Sequence, residues 1–353
     1  MKLYSSITYI FIIWIVSLLV IFYLSFYSLP HSGKFPDDFF RSFANWDGGH
    51  FLGIAEVGYS QKFQYAFFPF YPLFVRMLSQ ITGNYLLSAI LISTVSTFFG
   101  LQILYRLIIE TFDKKIGEKT VLAFLFFPTS FFLLTAYSEG LFFFLTVSAF
   151  YFYRKNLLFW AVVAASLASA TRLVGLAIVL GLWVDILGRQ GINRRNFYIL
   201  FAPLGFIIYC VYLYFQTGDF FYFLTAQTHW QRTLTAPVLG FWETIRQISV
   251  GGFTGVSINI FLDLIFAVFG VGMAIRAFRF LPSIFAIYTF AAVLIPLFTP
   301  TLSSIPRFLL MIFPIFILVA LIKNRYLALG YQVISLLLLA YFSTLFITGF
   351  WVS

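Results

Sequence analysis

The sequence is poor in charge. Asp, Glu, Lys and Arg make up 10% of its 353 residues, against roughly 25% in a soluble globular chain. So little charge cannot cover a water-facing surface, which excludes a soluble enzyme, a disordered protein and a nucleic-acid-binding domain. Cysteine is nearly absent: Cys210 stands alone, so neither an intrachain disulfide nor a thiolate metal cluster can form. There are three histidines, no Gly-rich phosphate loop, no His-Glu-x-x-His and no fixed-period repeat. The spacing of His31, Asp47 and His50 matches no strong metal signature.

Apolar residues are abundant, at 61% of the chain with a mean hydropathy of +0.96, and Phe alone supplies 50 residues. A hydrocarbon core needs about 20 apolar residues per helix. The first such run is Tyr9 to Leu29. Its length, and the lack of a small-residue cleavage site before His31, favour a retained helix over a cleaved leader. Further apolar stretches cover 84–112, 120–136, 139–153, 157–170, 173–188, 197–216, 258–275, 283–299, 306–322 and 327–349. The reading is therefore an all-α polytopic membrane protein of about eleven transmembrane helices, one integral membrane domain over 1–353.

The net charge of +10 follows from orientation. With the N-terminus inside, basic groups such as Lys114, Lys115, Lys119, Arg154, Lys155, Arg194, Arg195, Lys323 and Arg325 fall in short cytoplasmic loops, as the positive-inside rule expects. The acids Asp37, Asp38, Asp47, Glu56, Glu139, Asp219 and Glu243 then face outward, with His31, His50 and His229. Two outer segments, 30–83 and 217–257, are long, and long connections tend to be functional. Chemistry is expected on the non-cytoplasmic face.

The densest polar cluster runs from Phe43 to Tyr59 and contains Trp46-Asp47-Gly48-Gly49-His50. Glycines let a backbone turn sharply and a ligand approach closely, and a carboxylate beside an aromatic wall can accept a proton from a hydroxyl. Phe67 to Gly83 reads as an amphipathic helix lying in the membrane interface, with Pro69 and Pro72 in its first turns. Arg172 and Arg307 sit at expected outer helix ends inside apolar sequence. An arginine in a membrane span is a functional candidate, and a guanidinium can hold phosphate oxygens bidentately. The plainer alternative is snorkelling to the interface. His229, Trp230, Arg232 and Trp242 in the second long loop suit sugar or headgroup contact, or simple interface anchoring.

Four segments together resemble the PIG-V family of mannosyltransferases, relatives of the enzyme that adds the second mannose to glycosylphosphatidylinositol. They are Trp46-Asp47-Gly48 with Gly58-Tyr59 and Ala66-Phe67-Phe68-Pro69-Phe70-Tyr71-Pro72; Pro128 to Gly140, ending Tyr137-Ser138-Glu139-Gly140; Ala170-Thr171-Arg172-Leu173-Val174-Gly175; and Pro306-Arg307-Phe308-Leu309 with Pro314. The resemblance implies a GT-C-type bundle. It implies transfer of a sugar, mannose first, from a polyprenyl-phosphate donor to a hydroxyl of a lipid-linked or glycan acceptor, by an inverting displacement; no cofactor and no metal-ligating residue is expected. By that resemblance Asp47 is the base. Trp46, Gly48, His50, Glu139, Arg172 and Arg307 bind substrate, with the arginines on the phosphate and Glu139 either paired with Arg172 or on sugar hydroxyls. The protein would reside in the plasma membrane of a prokaryote or the endoplasmic reticulum of a eukaryote. The competing reading, a lipid or sugar transporter, predicts two related halves, and the sequence has none.

Overall fold

A computed structural model describes residues 2–194, 196–255 and 258–352, with side chains at 6–189, 191–194, 196–251 and 258–352. Arg195, one of the basic residues expected in the cytoplasm, lies outside the described residues. Among these residues every regular element is helical. In chain order the α-helices are α1 (Lys2–Ser28), α2 (Asp47–Val57), α3 (Phe70–Thr82), α4 (Tyr85–Thr111), α5 (Lys114–Leu125), α6 (Glu139–Arg154), α7 (Leu158–Thr171), α8 (Gly175–Gln190), α9 (Leu204–Thr217), α10 (Tyr222–Ala226), α11 (Pro237–Gly255), α12 (Ile258–Phe280), α13 (Ser283–Leu294), α14 (Ile305–Leu310), α15 (Pro314–Ala320) and α16 (Arg325–Ile347).

Local chemistry sets several of these boundaries. Asn84 accepts the Leu87 amide at 2.9 Å and Asp113 the Ile116 amide at 2.8 Å. Asn324 accepts from Tyr326 and Leu327. Each satisfies amides that a helix start leaves open. Gly218 closes α9 in the left-handed region, where only glycine is free of steric cost.

Among the described residues, five stretches are long and apolar enough to cross a membrane: Ser6–Ser28, Tyr85–Thr111, Phe197–Thr217, Ile258–Phe280 and Arg325–Ile347. The other expected spans hold shorter or interrupted helices. The stretch 120–136 does not form one helix. Regular helix stops at Leu125 and only a 3₁₀ turn, Ser130–Leu133, follows before α6. Pro128 lacks an amide hydrogen and its ring clashes with the preceding turn. The stretch 306–322 is likewise cut, between Leu310 and Pro314, by a second proline. The described Phe67–Gly83 segment holds α3, which buries Tyr71, Pro72, Val75 and Ser79 and exposes the apolar Leu73, Phe74, Met77 and Ile81.

The chain forms two units. Unit 1 comprises the N-terminal part to Gly58, Phe70–Arg154 and Val319–Val352. Its centre is α4, packed by α1, α3, α5 and α6, while α16 lies on α1. The α4–α6 interface depends on small residues: a Cβ on Gly140 would lie 2.4 Å from the Ser93 carbonyl oxygen, and one on Gly100 2.7 Å from the Phe143 ring. Such close backbone approach is how helices associate where no hydrophobic driving force separates them from lipid. Unit 2 comprises Tyr59–Pro69 and Lys155–Leu318. In it α7 packs on α8 and α9, α8 on α13, α13 on α12, and α12 on α14. The Tyr59–Pro69 segment is fastened to α9, where Tyr209 Oη donates to the Tyr65 carbonyl at 2.6 Å, and Tyr59 Oη donates to that of Phe67 at 2.6 Å.

Candidate functional site

Unit 1 presents carboxylates at helix starts. Asp47 is the first residue of α2 and is half-buried; the amide end of a helix favours an anion there. The backbone reaches it through an unusual turn. Trp46 has φ 57° and ψ −124°, a conformation that costs a side-chain-bearing residue free energy. Contacts on either side hold it. Asn45 Nδ2 donates to the Phe346 carbonyl at 2.9 Å, the Asn45 carbonyl accepts from Tyr137 Oη at 2.7 Å, and Trp46 Nε1 donates to the Phe350 carbonyl at 3.1 Å. The indole packs edge-on to Phe35 and Trp351 under the Lys34 ammonium. Gly48 follows because there is little room: a Cβ would sit 3.1 Å from Tyr137 Cε2 and 3.3 Å from the Ala136 carbonyl oxygen. His50, three residues on and half-buried, shares a helix face with Asp47.

The second carboxylate, Glu139, is the first residue of α6 and is fully buried. It follows the irregular stretch from Phe126. Buried irregular backbone at membrane depth needs internal partners, and they are present. Ser93 Oγ donates to the Tyr137 carbonyl at 2.7 Å, Thr97 Oγ1 to that of Leu133 at 3.2 Å, and the Ala136 amide to the Phe43 carbonyl at 3.0 Å. Tyr137, two residues before Glu139, thus bonds to Asn45, two residues before Asp47. One network fixes both helix starts.

His31 is not joined to this cluster through its ring nitrogens. Nε2 meets the Phe26 carbonyl at 2.7 Å and Nδ1 meets Asp37 at 2.5 Å. Both partners are acceptors and so favour the protonated ring. The Phe26 carbonyl first, and Asp37 after it, raise the His31 pKa against an opposing desolvation. Among the described residues, no group of three or more His, Cys, Asp or Glu is placed to hold a metal ion.

Unit 2 gathers arginines. Arg172 directly follows α7 in extended conformation, and the Gly175 amide bonds back to its carbonyl at 2.9 Å. This hairpin is so tight that a Cβ on Gly175 would lie 2.5 Å from the Ser169 amide nitrogen. Arg307 lies in the last turn of α14 and is buried. The neighbouring Phe308 carries two guanidinium groups near its ring: Cζ of Arg232 is 5.1 Å from the centroid and Cζ of Arg172 is 6.0 Å. Arg232 Nη2 also donates to the Ser303 carbonyl at 2.6 Å. The structure thus brings Arg232, which the sequence left in a loop of general polar character, beside Arg172 at Phe308. No local pattern announces this; the pairing comes from tertiary folding. In the same loop His229 stacks on Phe63, with centroids 4.3 Å apart, and Trp230 packs edge-on to Phe63 and Phe67. Of the expected site residues, unit 1 holds Trp46, Asp47, Gly48, His50 and Glu139, and unit 2 holds Arg172 and Arg307.

The profile of the mannosyltransferase (PIG-V) family matches residues 33–341, which takes in all of these positions. The chain belongs to this family. A human relative, GPI alpha-1,6-mannosyltransferase 2, is 31% identical over 147 residues, covering 38% of this chain and 30% of the relative. GPI mannosyltransferase 2 of Drosophila pseudoobscura pseudoobscura is 32% identical over 115 residues, covering 30% and 25%. The matched part thus spans under a third of either relative. In fold, the chain is similar to ArnT of Cupriavidus metallidurans, solved with undecaprenyl phosphate bound: TM-score 0.54 over 92% of this chain and 62% of ArnT, at 18% identity. The apo form gives a TM-score of 0.53 at 17% identity. PIG-V mannosyltransferases and ArnT therefore bracket this chain, one in sequence and the other in fold.

Proposed function

We propose that this PIG-V family member is a membrane glycosyltransferase that moves a sugar, mannose first, from a polyprenyl-phosphate donor to a hydroxyl of a lipid-linked or glycan acceptor. The observation that carries the proposal is the chemistry of the family-matched residues: a half-buried carboxylate held at a strained turn, Asp47, and arginines at helix ends, Arg172 and Arg307. Family membership and the mannosyltransferase names of its relatives support the sugar. The ArnT-like fold supports a lipid phosphate, since ArnT binds undecaprenyl phosphate. A carrier lipid also suits a chain with so little charge, because such a donor arrives by diffusion within the membrane.

In this reading the acceptor oxygen attacks the anomeric carbon, the bond from that carbon to the phosphate oxygen breaks, and configuration inverts. Asp47 takes the hydroxyl proton. The electron pair of the broken bond leaves with the polyprenyl phosphate, whose added negative charge Arg172 and Arg307 neutralise through bidentate contacts. Trp46 gives the sugar an apolar wall, Gly48 lets it approach the backbone, His50 orients Asp47, and Glu139 binds sugar hydroxyls. The residues act at the non-cytoplasmic face of a GT-C-type bundle of about eleven membrane helices forming one domain, with α3 lying in the interface. The membrane is the plasma membrane of a prokaryote or the endoplasmic reticulum of a eukaryote.

Membranes containing the protein, given polyprenyl-phosphate-[³H]mannose and a panel of lipid and glycan acceptors, test the proposal. Label transferred to an acceptor by the wild type and lost in a folded Asp47→Asn variant supports it. No transfer to any acceptor, together with label movement across the membrane, would favour a transporter.

A further inference from the structure

Tyr71 has no role in the reaction described above, yet it is fully buried in the first turn of α3, within unit 1. Its hydroxyl meets Ser93 Oγ at 3.1 Å and the Ala89 carbonyl at 3.2 Å, both on α4. Ser93 Oγ in turn donates to the Tyr137 carbonyl at 2.7 Å. A serine has one hydroxyl proton to give. With that proton on Tyr137, the tyrosine is the donor in the Tyr71–Ser93 bond. The link therefore runs from Tyr71 through Ser93 to the backbone two residues before Glu139. Burial raises the Tyr71 pKa, the Ser93 bond works against it, and the charge of Glu139 adds to the rise. The hydroxyl thus stays protonated, and the Glu139 carboxylate is near enough to act on it.

Ser93 holds Glu139 from both sides. Before it, Ser93 Oγ takes the Tyr137 carbonyl. After it, Gly140 packs on the Ser93 backbone so closely that its Cβ would lie 2.4 Å from the Ser93 carbonyl oxygen and 2.7 Å from Thr97 Oγ1. A serine in a helix has a competing acceptor, the carbonyl four residues back. Thr97, one turn on, bonds in that way to Ser93 at 2.8 Å. For Ser93 the carbonyl four back is that of Ala89, and Tyr71 Oη lies against it as well as against Ser93 Oγ. The tyrosine hydroxyl thus keeps the serine turned toward Tyr137. The Tyr71 ring makes a separate contact. It packs edge-on to Phe51 at 5.1 Å, and Phe51 packs edge-on to Tyr137 at 6.3 Å. Phe51 lies one turn after Asp47 on α2. Hydroxyl and ring therefore serve different elements, the hydroxyl the start of α6 and the ring α2.

We propose that Tyr71 is a positioning residue whose hydroxyl, acting through Ser93, fixes Glu139 where it meets a sugar hydroxyl of the donor. It rests on the reading of Glu139 as a sugar-binding residue. Tyr71→Phe keeps the ring against Phe51 and removes only the hydroxyl. Ser93 is then free to turn to the Ala89 carbonyl and release Tyr137. A shift of about 1 Å in a group that must meet its substrate can cost about a hundredfold, so even a partial release is measurable.

The test compares binding of two lipids that differ only by the sugar, undecaprenyl phosphate and undecaprenyl-phosphate-mannose, to the full chain in lipid nanodiscs. The variants are Tyr71→Phe, Ser93→Ala, Glu139→Gln, and Tyr71→Phe combined with Glu139→Gln. Each single variant is expected to weaken the sugar-bearing lipid about tenfold, the scale of a hydrogen bond to a charged group. Each is expected to bind undecaprenyl phosphate as wild type does, and the double variant to bind no more weakly than Glu139→Gln alone. A general loss of structure would weaken both lipids together. If Glu139→Gln weakens the sugar-bearing lipid and Tyr71→Phe does not, the positioning role is overturned while the reading of Glu139 stands. If Glu139→Gln weakens neither lipid, that reading fails and takes the positioning role with it. A further loss in the double variant, or equal weakening of both lipids in Tyr71→Phe, would show that Tyr71 does not act through Glu139 and overturn the proposal. Should Tyr71→Phe not fold, Ser93→Ala, which removes the same link from its other end, decides by the same readings. Failure of both to fold would make the link structural and overturn the proposal as well.

Discussion

The candidate site residues of units 1 and 2 differ in charge: acids at helix starts in unit 1, arginines in unit 2. In unit 1, Asp47 and Glu139 are the first residues of α2 and α6, where the positive end of the helix dipole favours an anion. In unit 2, Arg172 follows the last residue of α7, where the negative end favours a cation, whereas Arg307 is the third of the six residues of α14 and belongs to neither end alone. The supports differ too. The acids are held by a hydrogen-bonded network running through Tyr137, Asn45 and Ser93. Two of the arginines, Arg172 and Arg232, lie near one aromatic ring, Phe308. On the proposed function, proton acceptance falls to the acids of unit 1 and anion binding to the arginines of unit 2.

The largest expected effect tests the acidic half. Asp47→Asn keeps size and helix start but cannot accept a proton, so transfer should fall by about 10²–10⁴-fold, the range for removing a general base. Initial rates with labelled donor measure it, and a loss under tenfold would remove Asp47 from the role. Next comes the basic half. Arg172→Ala should weaken undecaprenyl-phosphate binding by roughly 10- to 100-fold, in line with about 1.5–3 kcal/mol for a charged hydrogen bond; Arg172→Lys should recover only part of it, because it cannot bind bidentately.

Smaller effects probe how each unit is built. Gly140→Ala should destabilise the protein by about 1–3 kcal/mol, since its Cβ would meet the Ser93 backbone. Gly205→Ala does the same in unit 2, against the Ser166 carbonyl oxygen at 2.1 Å. If the two units unfold separately, each change lowers a different melting transition; a common shift would show one cooperative unfolding unit. Tyr137→Phe removes one buried hydrogen bond to Asn45 and should cost about 1 kcal/mol.

The smallest effect concerns pH. His31 has its pKa raised in the folded state above the ordinary 6.5. Its stabilisation is therefore complete below 6.5 and is lost as pH rises through the higher folded value. Because Asp37 is exposed, the effect is small. Melting temperature measured upward from pH 6 should fall slightly more in wild type than in His31→Asn, and equal slopes would contradict the sign.

Much of this was legible in the sequence because partition into lipid depends on composition. The long runs that became α1, α4, α12 and α16 stand out by hydropathy alone, and the Trp46-Asp47-Gly48 and Thr171-Arg172-Leu173 segments stand out against apolar surroundings. Hydropathy says nothing of backbone geometry, however. It carried the expected spans across Pro128 and Pro314, where the structure breaks them and meets the freed carbonyls with buried side chains, as Tyr288 does for Met311. The strained Trp46 turn was invisible too, since it is imposed by Phe346, Phe350 and Tyr137, all distant in sequence. Arg232 belongs beside Arg172 only because α14 brings Phe308 to both.

The proposed division of labour between Asp47 and Arg172 is tested most directly by measuring undecaprenyl-phosphate affinity and sugar transfer side by side in Asp47→Asn and Arg172→Ala. The account predicts that Asp47→Asn binds the lipid phosphate as wild type does but transfers almost no sugar, while Arg172→Ala binds it at least tenfold more weakly, the lower bound of its hydrogen-bond loss. Equal loss of binding in both variants, or wild-type binding in Arg172→Ala, would contradict it.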